Sequence, residues 1–410
     1  MTRRAASASI AAPVLFAVFA FGYFLSALLR AVTATLAPVF SIELGLRAAD
    51  LGLLAGAYFF GFALMQLPLG RALDHFGPRR TLVTLSAVAV LGCIAFALAP
   101  GLPAMIAARV LIGAGVAAGL MAALTSFRQH FDTAAQLRAN SWMLMAGSLG
   151  MLASTLPVQW LLPSLGWRGL FVLVALLLFI ATLLVWWQVP ADTPHAPEAG
   201  AGPVRYRDIA RQALFMRTAP LGFVLYGGMI AVQSLWAGPW LTRVSGLAPE
   251  QAAQGLFGIN LAMLLVFGAW GAVMPRLIKQ RLDLMRLITW GVPLPLLGLA
   301  GIVGLGAQAS AGHWAAWCVS CTVLSISQPT VAAAFPAAQA GRALSAFNLV
   351  IFAGVFCVQW GLGLLIDALR ATGLDEVSAF RCAFAVFGLL GALAYGWFLW
   401  RGQPAVDNQR

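Results

Sequence analysis

The sequence predicts an all-α polytopic membrane protein, with twelve spanning helices set in two pseudo-symmetric bundles of six. Three observations carry that prediction. Apolar residues make up 61% of the 410-residue chain and charged residues 9%, against roughly 45–50% and about 25% in soluble domains. So few charges cannot solvate a water-facing surface. The apolar residues fall in runs near the roughly 20 helical residues that cross a hydrocarbon core of about 30 Å. Six runs precede the longest polar stretch, residues 190–217, and six follow it. Arg and Lys, finally, crowd on one side of the alternating loops.

Span 1 begins near Pro13 and runs to about Phe40, too long for the roughly 7–15-residue apolar region of a signal peptide. It is therefore expected to be retained. Spans 2 to 6 begin near Leu51, Thr81, Pro103, Ser141 and Gly169. Residues 190–203 are rich in Pro, Ala and Gly and read as a flexible linker. Residues 206–216 space Ile209, Leu214 and Phe215 among Arg207, Asp208 and Arg211, which predicts a short amphipathic helix on the membrane surface. Spans 7 to 12 begin near Leu221, Ala252, Leu287, Trp314, Leu344 and Phe380. The expected organisation is an N-terminal bundle at 1–188, a cytoplasmic linker at 189–217, a C-terminal bundle at 218–401 and a cytoplasmic tail at 402–410.

The net charge is +12, but the cations are scattered among apolar runs with no continuous basic face. They are read as topology signals rather than a nucleic-acid surface. With the N-terminus inside, 18 of the 25 Arg and Lys fall in inner segments and five in outer ones. Both termini are accordingly expected in the cytoplasm. The five cysteines lie in or beside apolar runs, an odd number that is no disulfide framework. Cys318 and Cys321 have CxxC spacing without a second Cys or His cluster, so no metal site is expected. No nucleotide-binding loop occurs, and no cofactor is expected.

All thirteen carboxylates and four histidines fall in loops or at span ends. Intramembrane acids and histidines build proton relays and membrane metalloenzymes, so their absence at depth argues against an enzyme. Two cations remain inside spans, Arg30 and Arg109. A charge at depth costs several kcal/mol on insertion scales of about 2.5–3.5 kcal/mol, unless it pairs, snorkels or faces water. Arg30 is too deep to snorkel easily and is expected to face a polar cavity, the alternative being a brace against backbone carbonyls. For Arg109 the two readings stand level.

The halves echo each other. Tyr23 and Arg30 in span 1 are seven residues apart, as are Tyr226 and Gln233 in span 7. Seven residues are two helical turns, so each pair shares a face. Val158-Gln159-Trp160 in span 5 recurs as Val358-Gln359-Trp360 in span 11. These echoes suggest parallel repeats about an axis along the membrane normal. Tyr58, Asn260 and Gln328 are further polar candidates for a binding site near the midplane. Each alone is more simply an interhelical hydrogen bond.

The loop after span 2 reads Gly70-Arg71-Ala72-Leu73-Asp74-His75-Phe76-Gly77-Pro78-Arg79-Arg80. It resembles the signature of the major facilitator superfamily in Gly70, Asp74, Gly77 and Arg79, while His75 and Pro78 depart from it and Arg80 supplies a further cation. Arg109 followed by Gly113 is similar to the family's span-4 motif. The resemblance implies a secondary transporter of a bacterial inner membrane, working as a monomer by alternating access. It also implies conformational gating by Gly70, Asp74, Gly77, Arg79 and Arg80, with Arg109 in coupling or cavity electrostatics. The antiporter motif of span 5 is not reproduced. The expected solute is a small anion or carboxylate held by Arg30 and Gln233, with Tyr23 and Tyr226 nearby. Efflux of apolar drug-like compounds is the alternative, and a non-transporting receptor or enzyme ranks below it.

Overall fold

The computed structural model describes residues 12–191, 206–279 and 284–402. No strand occurs among the described residues. Residues 192–203 of the stretch read as flexible linker therefore lie outside the description, as do the side chains of Arg276, Lys279 and Arg281.

Span 1 is one helix of 32 residues, Ala12–Glu43. Spans 2 and 3 form a continuous 50-residue stretch, Ala48–Ala97, broken at Gly77 where φ is 80° and ψ is 169°. That left-handed backbone is the conformation only glycine adopts without strain, so 48–76 and 78–97 are separate rods. Span 4 is Leu102–Val116 followed by Gly119–His130. Span 5 is Thr133–Ala153, continued by the first part of Leu156–Gln188 as far as Gly166. Gly166, with φ at 63°, then starts span 6. Span 7 runs from Ala213–Leu221 to Trp240–Val244 and contains three π-helical segments, Gly222–Tyr226, Val232–Trp236 and Trp240–Val244. Span 8 is Pro249–Lys279, and span 9 is Leu284–Gly291 plus Pro293–Leu305. Span 10 is Ala311–Cys321, a 3-10 segment Thr322–Ile326, and Ser327–Ala333. Spans 11 and 12 are Ala337–Ala371 and Glu376–Trp400.

Among the described residues, nine helices are long and apolar enough to cross a bilayer. The difference from twelve has physical sources. The Gly77 break counts two rods as one, span 5 is divided near Ser154, and span 10 is divided by its 3-10 turn. Helix starts carry the expected caps: Asp132 accepts from the Ala135 amide at 2.8 Å and Asp375 from the Ser378 amide at 3.0 Å. Exposed Trp160 (71%) and Trp290 (82%) fit a surface solvated by lipid.

The amphipathic helix is shorter than its sequence pattern. It ends at Arg211, and Gln212 caps a new helix by accepting from the Phe215 amide at 2.8 Å. Leu214 and Phe215 consequently belong to span 7. Ile209 is completely buried and rests against span 11, so the helix is docked on the protein.

Close packing uses small residues. A Cβ added to Gly113 of span 4 would lie 1.8 Å from the Tyr58 carbonyl oxygen, so the glycine sets how near spans 2 and 4 approach. In the second half, Trp240 packs edge-on against Trp314 and Phe384 with centroids 5.3 and 5.0 Å apart.

The halves meet along a seam that is densest at the end bearing the loop of residues 44–47, called here the outer end. Ala49 N–H donates to Asp367 Oδ2 at 2.9 Å, Gln159 Nε2 to Glu250 Oε1 at 3.4 Å, and Arg243 to Ser41 Oγ. Toward the middle, the rings of Phe62 and Phe352 stand 4.6 Å apart.

Candidate functional site

Span 1 carries Tyr23 and Arg30 on one face, and it packs directly on the π segment of span 7 that holds Gln233. Arg30 is partly exposed inside the fold. Its guanidinium lies over the Phe62 ring at 5.6 Å from the centroid. Its Nε is buried without a hydrogen-bond partner. Arg30 is within hydrogen-bonding and electrostatic reach of Tyr58 and Tyr23, and within electrostatic reach of Tyr226 on span 7. Among the described residues it makes no ion pair. A guanidinium held this way has donor capacity left for an anion.

Around it the polar groups are largely committed to one another. Tyr58 is fully buried and donates from its hydroxyl to the Ser26 carbonyl at 3.2 Å. Gln233 donates through Nε2 to Asn260 Oδ1 at 3.0 Å, and Asn260 donates to the Leu256 carbonyl at 2.9 Å. Gln328 donates to Asn348 Oδ1 at 2.7 Å. The structure thus gathers Tyr23, Arg30, Tyr58 and Tyr226 in one cluster. Gln233 and Asn260 form one amide pair of the second half, and Gln328 and Asn348 form another. Such pairs fix amide orientation while leaving further donors and acceptors on each side chain.

Arg109 sits differently. It has no exposure, donates from Nη1 to the Leu29 carbonyl at 2.9 Å and from Nη2 to Thr33 Oγ1, and lies over Phe96 and Phe171 at 5.2 and 5.4 Å. This is the position of a brace between spans 4 and 1. Phe62 was not singled out from sequence, although it lies one helical turn from Tyr58, at i+4. Spacing alone marks it as core.

In the span 2–3 turn, Gly77 supplies the left-handed residue, whereas Gly70 lies within regular helix and has open space where a Cβ would stand. One glycine, not two, makes the turn. Thr81 Oγ1 closes it by donating to the Ala72 carbonyl at 3.0 Å. Arg79 lies over Trp186 at 4.5 Å and donates to its carbonyl, tying the turn to the end of span 6. Asp74 and Arg80 are exposed, and Asp74 makes no ion pair or hydrogen bond among the described residues.

The fold and this cluster define a polytopic helical membrane protein whose two halves enclose an open guanidinium. The Major Facilitator Superfamily profile matches residues 19–356, and the chain belongs to that family. It is 29% identical over 266 residues to the 4-hydroxybenzoate transporter PcaK of Pseudomonas putida, a match spanning 56% of this chain and 59% of that protein. It is 27% identical over 297 residues to the probable sulfoacetate transporter SauU of Cupriavidus necator, spanning 68% of each. The chain thus matches about three-fifths to two-thirds of these relatives' length. A crystal structure of a bacterial homolog of the human lysosomal transporter Spinster, inward-facing and unoccupied, superposes with a TM-score of 0.74 at 16% identity, covering 95% of this chain and 96% of that one. That likeness concerns the fold.

Proposed function

We propose that the protein is a secondary active transporter that carries a small organic anion, best a carboxylate, by alternating access. The observation that carries this reading is Arg30: a cation deep in span 1, partly exposed, with a buried unpartnered Nε and no acidic partner among the described residues. An uncompensated charge at that depth is costly, and a bound carboxylate repays the cost through a bidentate contact. Gln233 and Asn260 face span 1 from the second half and complete the shell, with Tyr23 and Tyr226 below them. The names of the two relatives fit the same chemistry, since hydroxybenzoate and sulfoacetate are both organic anions.

In this reading residues 1–188 and 218–401 are the two bundles, and residues 189–217 link them in the cytoplasm. Both termini lie inside a bacterial inner membrane. The dense outer seam and the unlatched Asp74 belong to a state open toward the cytoplasm. Asp74, with Arg79 and Arg80 at the same rim, controls the switch to the opposite state.

The test is transport in vesicles containing only this protein. Flux of a carboxylate is expected, and purified Arg30→Gln is expected to lose solute binding while keeping its fold. Arg30→Lys keeps the charge without the planar fork and should retain part of the affinity. Binding that survives Arg30→Gln in folded protein overturns the assignment. Absence of flux for any solute favours a receptor instead.

A further inference from the structure

Away from the solute site, a crevice of about 440 Å³ runs along the flank of the second half. Its floor is the packed contact of spans 7 and 11, where the rings of Phe215 and Phe347 are 5.7 Å apart. Further along the same contact, a Cβ on Gly354 would stand 2.1 Å from the Phe223 carbonyl oxygen. The crevice is closed behind and open sideways. The side chains that line it, including Met216, Ala219, Phe223 and Val350, are all apolar. Val350 is two residues from Asn348, about 200° round the helix, and so faces away from the amide pair of the solute site.

One end of this apolar trough is basic. Ala210 of the docked linker helix lines the crevice, and its neighbours Arg207 and Arg211 are exposed. Neither makes a hydrogen bond or ion pair among the described residues. They are four apart and share a face, while Ile209 is buried against span 11. Arg342, also exposed, lies at the same end of span 11, eight residues and about 12 Å from Val350. An apolar trough ending in exposed, uncommitted arginines has the chemistry of an acyl chain joined to a phosphate.

We propose that this crevice is a binding site for one anionic phospholipid, with a chain in the trough and the headgroup phosphate on Arg207 and Arg211. The lipid also fixes the linker helix against span 11. Each arginine near a headgroup contributes roughly fivefold in affinity.

The experiment titrates delipidated full-length protein with phosphatidylglycerol or with phosphatidylethanolamine of the same chains, read by native mass spectrometry. Phosphatidylglycerol is expected to bind at least tenfold more tightly. The double variant Arg207→Gln, Arg211→Gln should erase that preference, and Ala219→Trp, which fills the trough, should weaken both lipids. Glycerol phosphate without chains should not compete. A thermal melt within a few degrees of wild type establishes that each variant is folded. Equal binding of the two lipids by wild type, or a preference that persists in the double variant, overturns the proposal. So does tight lipid binding that appears only after residues 192–205 are removed, which would make the linker the natural occupant. These residues lie outside the solute site, so the outcome is independent of Arg30.

Discussion

The two halves repeat one backbone plan but divide its chemistry unequally. Span 1 is an unbroken α-helix and presents Arg30, whereas span 7 contains three π segments and presents Gln233 from one of them. π segments widen the turn and re-aim side chains, and they are common at functional sites. The first half is braced by a fully buried cation, Arg109 on Leu29 and Thr33. The second is braced by a neutral amide. Gln359 is fully buried and donates from its side-chain amide to Ser234 Oγ at 2.9 Å, while its backbone carbonyl accepts from Trp236 Nε1 at 3.1 Å. Two guanidiniums facing each other would repel in a low-dielectric site. Charge on one side and amides on the other suit a solute with one anionic end and a polar remainder.

The largest effect expected within this comparison lies in the charged half's packing. Gly113→Val would force spans 2 and 4 apart at the Tyr58 carbonyl. Overpacking against backbone costs about 1–3 kcal/mol or more, and little folded protein should survive extraction, as read by size-exclusion yield. Near-normal yield and melting would show that the contact between spans 2 and 4 can yield.

Next come the two arginines, which separate function from support. Arg30→Gln should lower solute affinity roughly a hundredfold with an unchanged melt, since a bond to a charged group is worth about 1.5–3 kcal/mol. Arg109→Gln should do the reverse, lowering stability by about 2 kcal/mol while the remaining folded fraction still binds. Arg109→Lys should recover only part, because one ammonium cannot reproduce a fork spanning the Leu29 carbonyl and Thr33. Exchange of these two phenotypes would reverse the roles assigned to the arginines.

That contrast also marks how far the sequence could be read. The helical class and the apolar runs follow from hydropathy, because lipid leaves the backbone few alternatives. The position of both arginines along their helices was equally legible at 1.5 Å per residue. Their surroundings were not. Depth is one coordinate, and which neighbour a side chain meets depends on rotation about the helix and on what packs there. Arg109 meets the Leu29 carbonyl; Arg30 meets the face of Phe62. Residues 206–216 divide into two helices for a similar reason. Their apolar spacing was continuous, but the Gln212 side chain caps a new helix and divides the pattern. The repeat in Val158-Gln159-Trp160 and Val358-Gln359-Trp360 likewise did not foretell partners: Gln159 reaches Glu250 across the seam and Gln359 stays within its own half.

The rims provide a kinetic counterpart to the two arginines. Asp74 at the inner rim makes no ion pair or hydrogen bond among the described residues, whereas Asp367 at the outer end is engaged across the seam. If the inner carboxylate acts only when that rim closes, Asp74→Asn should cut turnover roughly tenfold, the worth of one charge-assisted hydrogen bond. Equilibrium affinity for solute should hardly move. Stopped-flow exchange against equilibrium binding checks this split, and a large affinity loss at normal exchange rates would place Asp74 in the binding site instead.

The smallest effect, and the one that sharpens the comparison most, is expected at Asp367. Its carboxylate accepts from the Ala49 amide at 2.9 Å, in the first turn of span 2. Helix N-termini carry unsatisfied amides and partial positive charge, so a carboxylate from the facing half both caps and neutralises that end. The contact is partly exposed, which discounts it to about 1 kcal/mol, or roughly fivefold in an equilibrium. Asp367→Ala should therefore move the population about fivefold toward the state open at the outer end. Asp367→Asn keeps a neutral acceptor and should move it less. A cysteine placed in the outer seam at Gly363, where the backbone of Ala48 now approaches, would itself disturb the contact. Labelling should be read instead at Ser41, beside Arg243 on the neighbouring pair of spans. Faster maleimide labelling of Ser41→Cys in the Asp367→Ala background is the expected outcome. An unchanged rate would mean that the glycine contacts between spans 2 and 11 hold the outer end closed without the carboxylate. In that case the asymmetry between the rims would be one of packing, with the Asp74 carboxylate alone acting through charge.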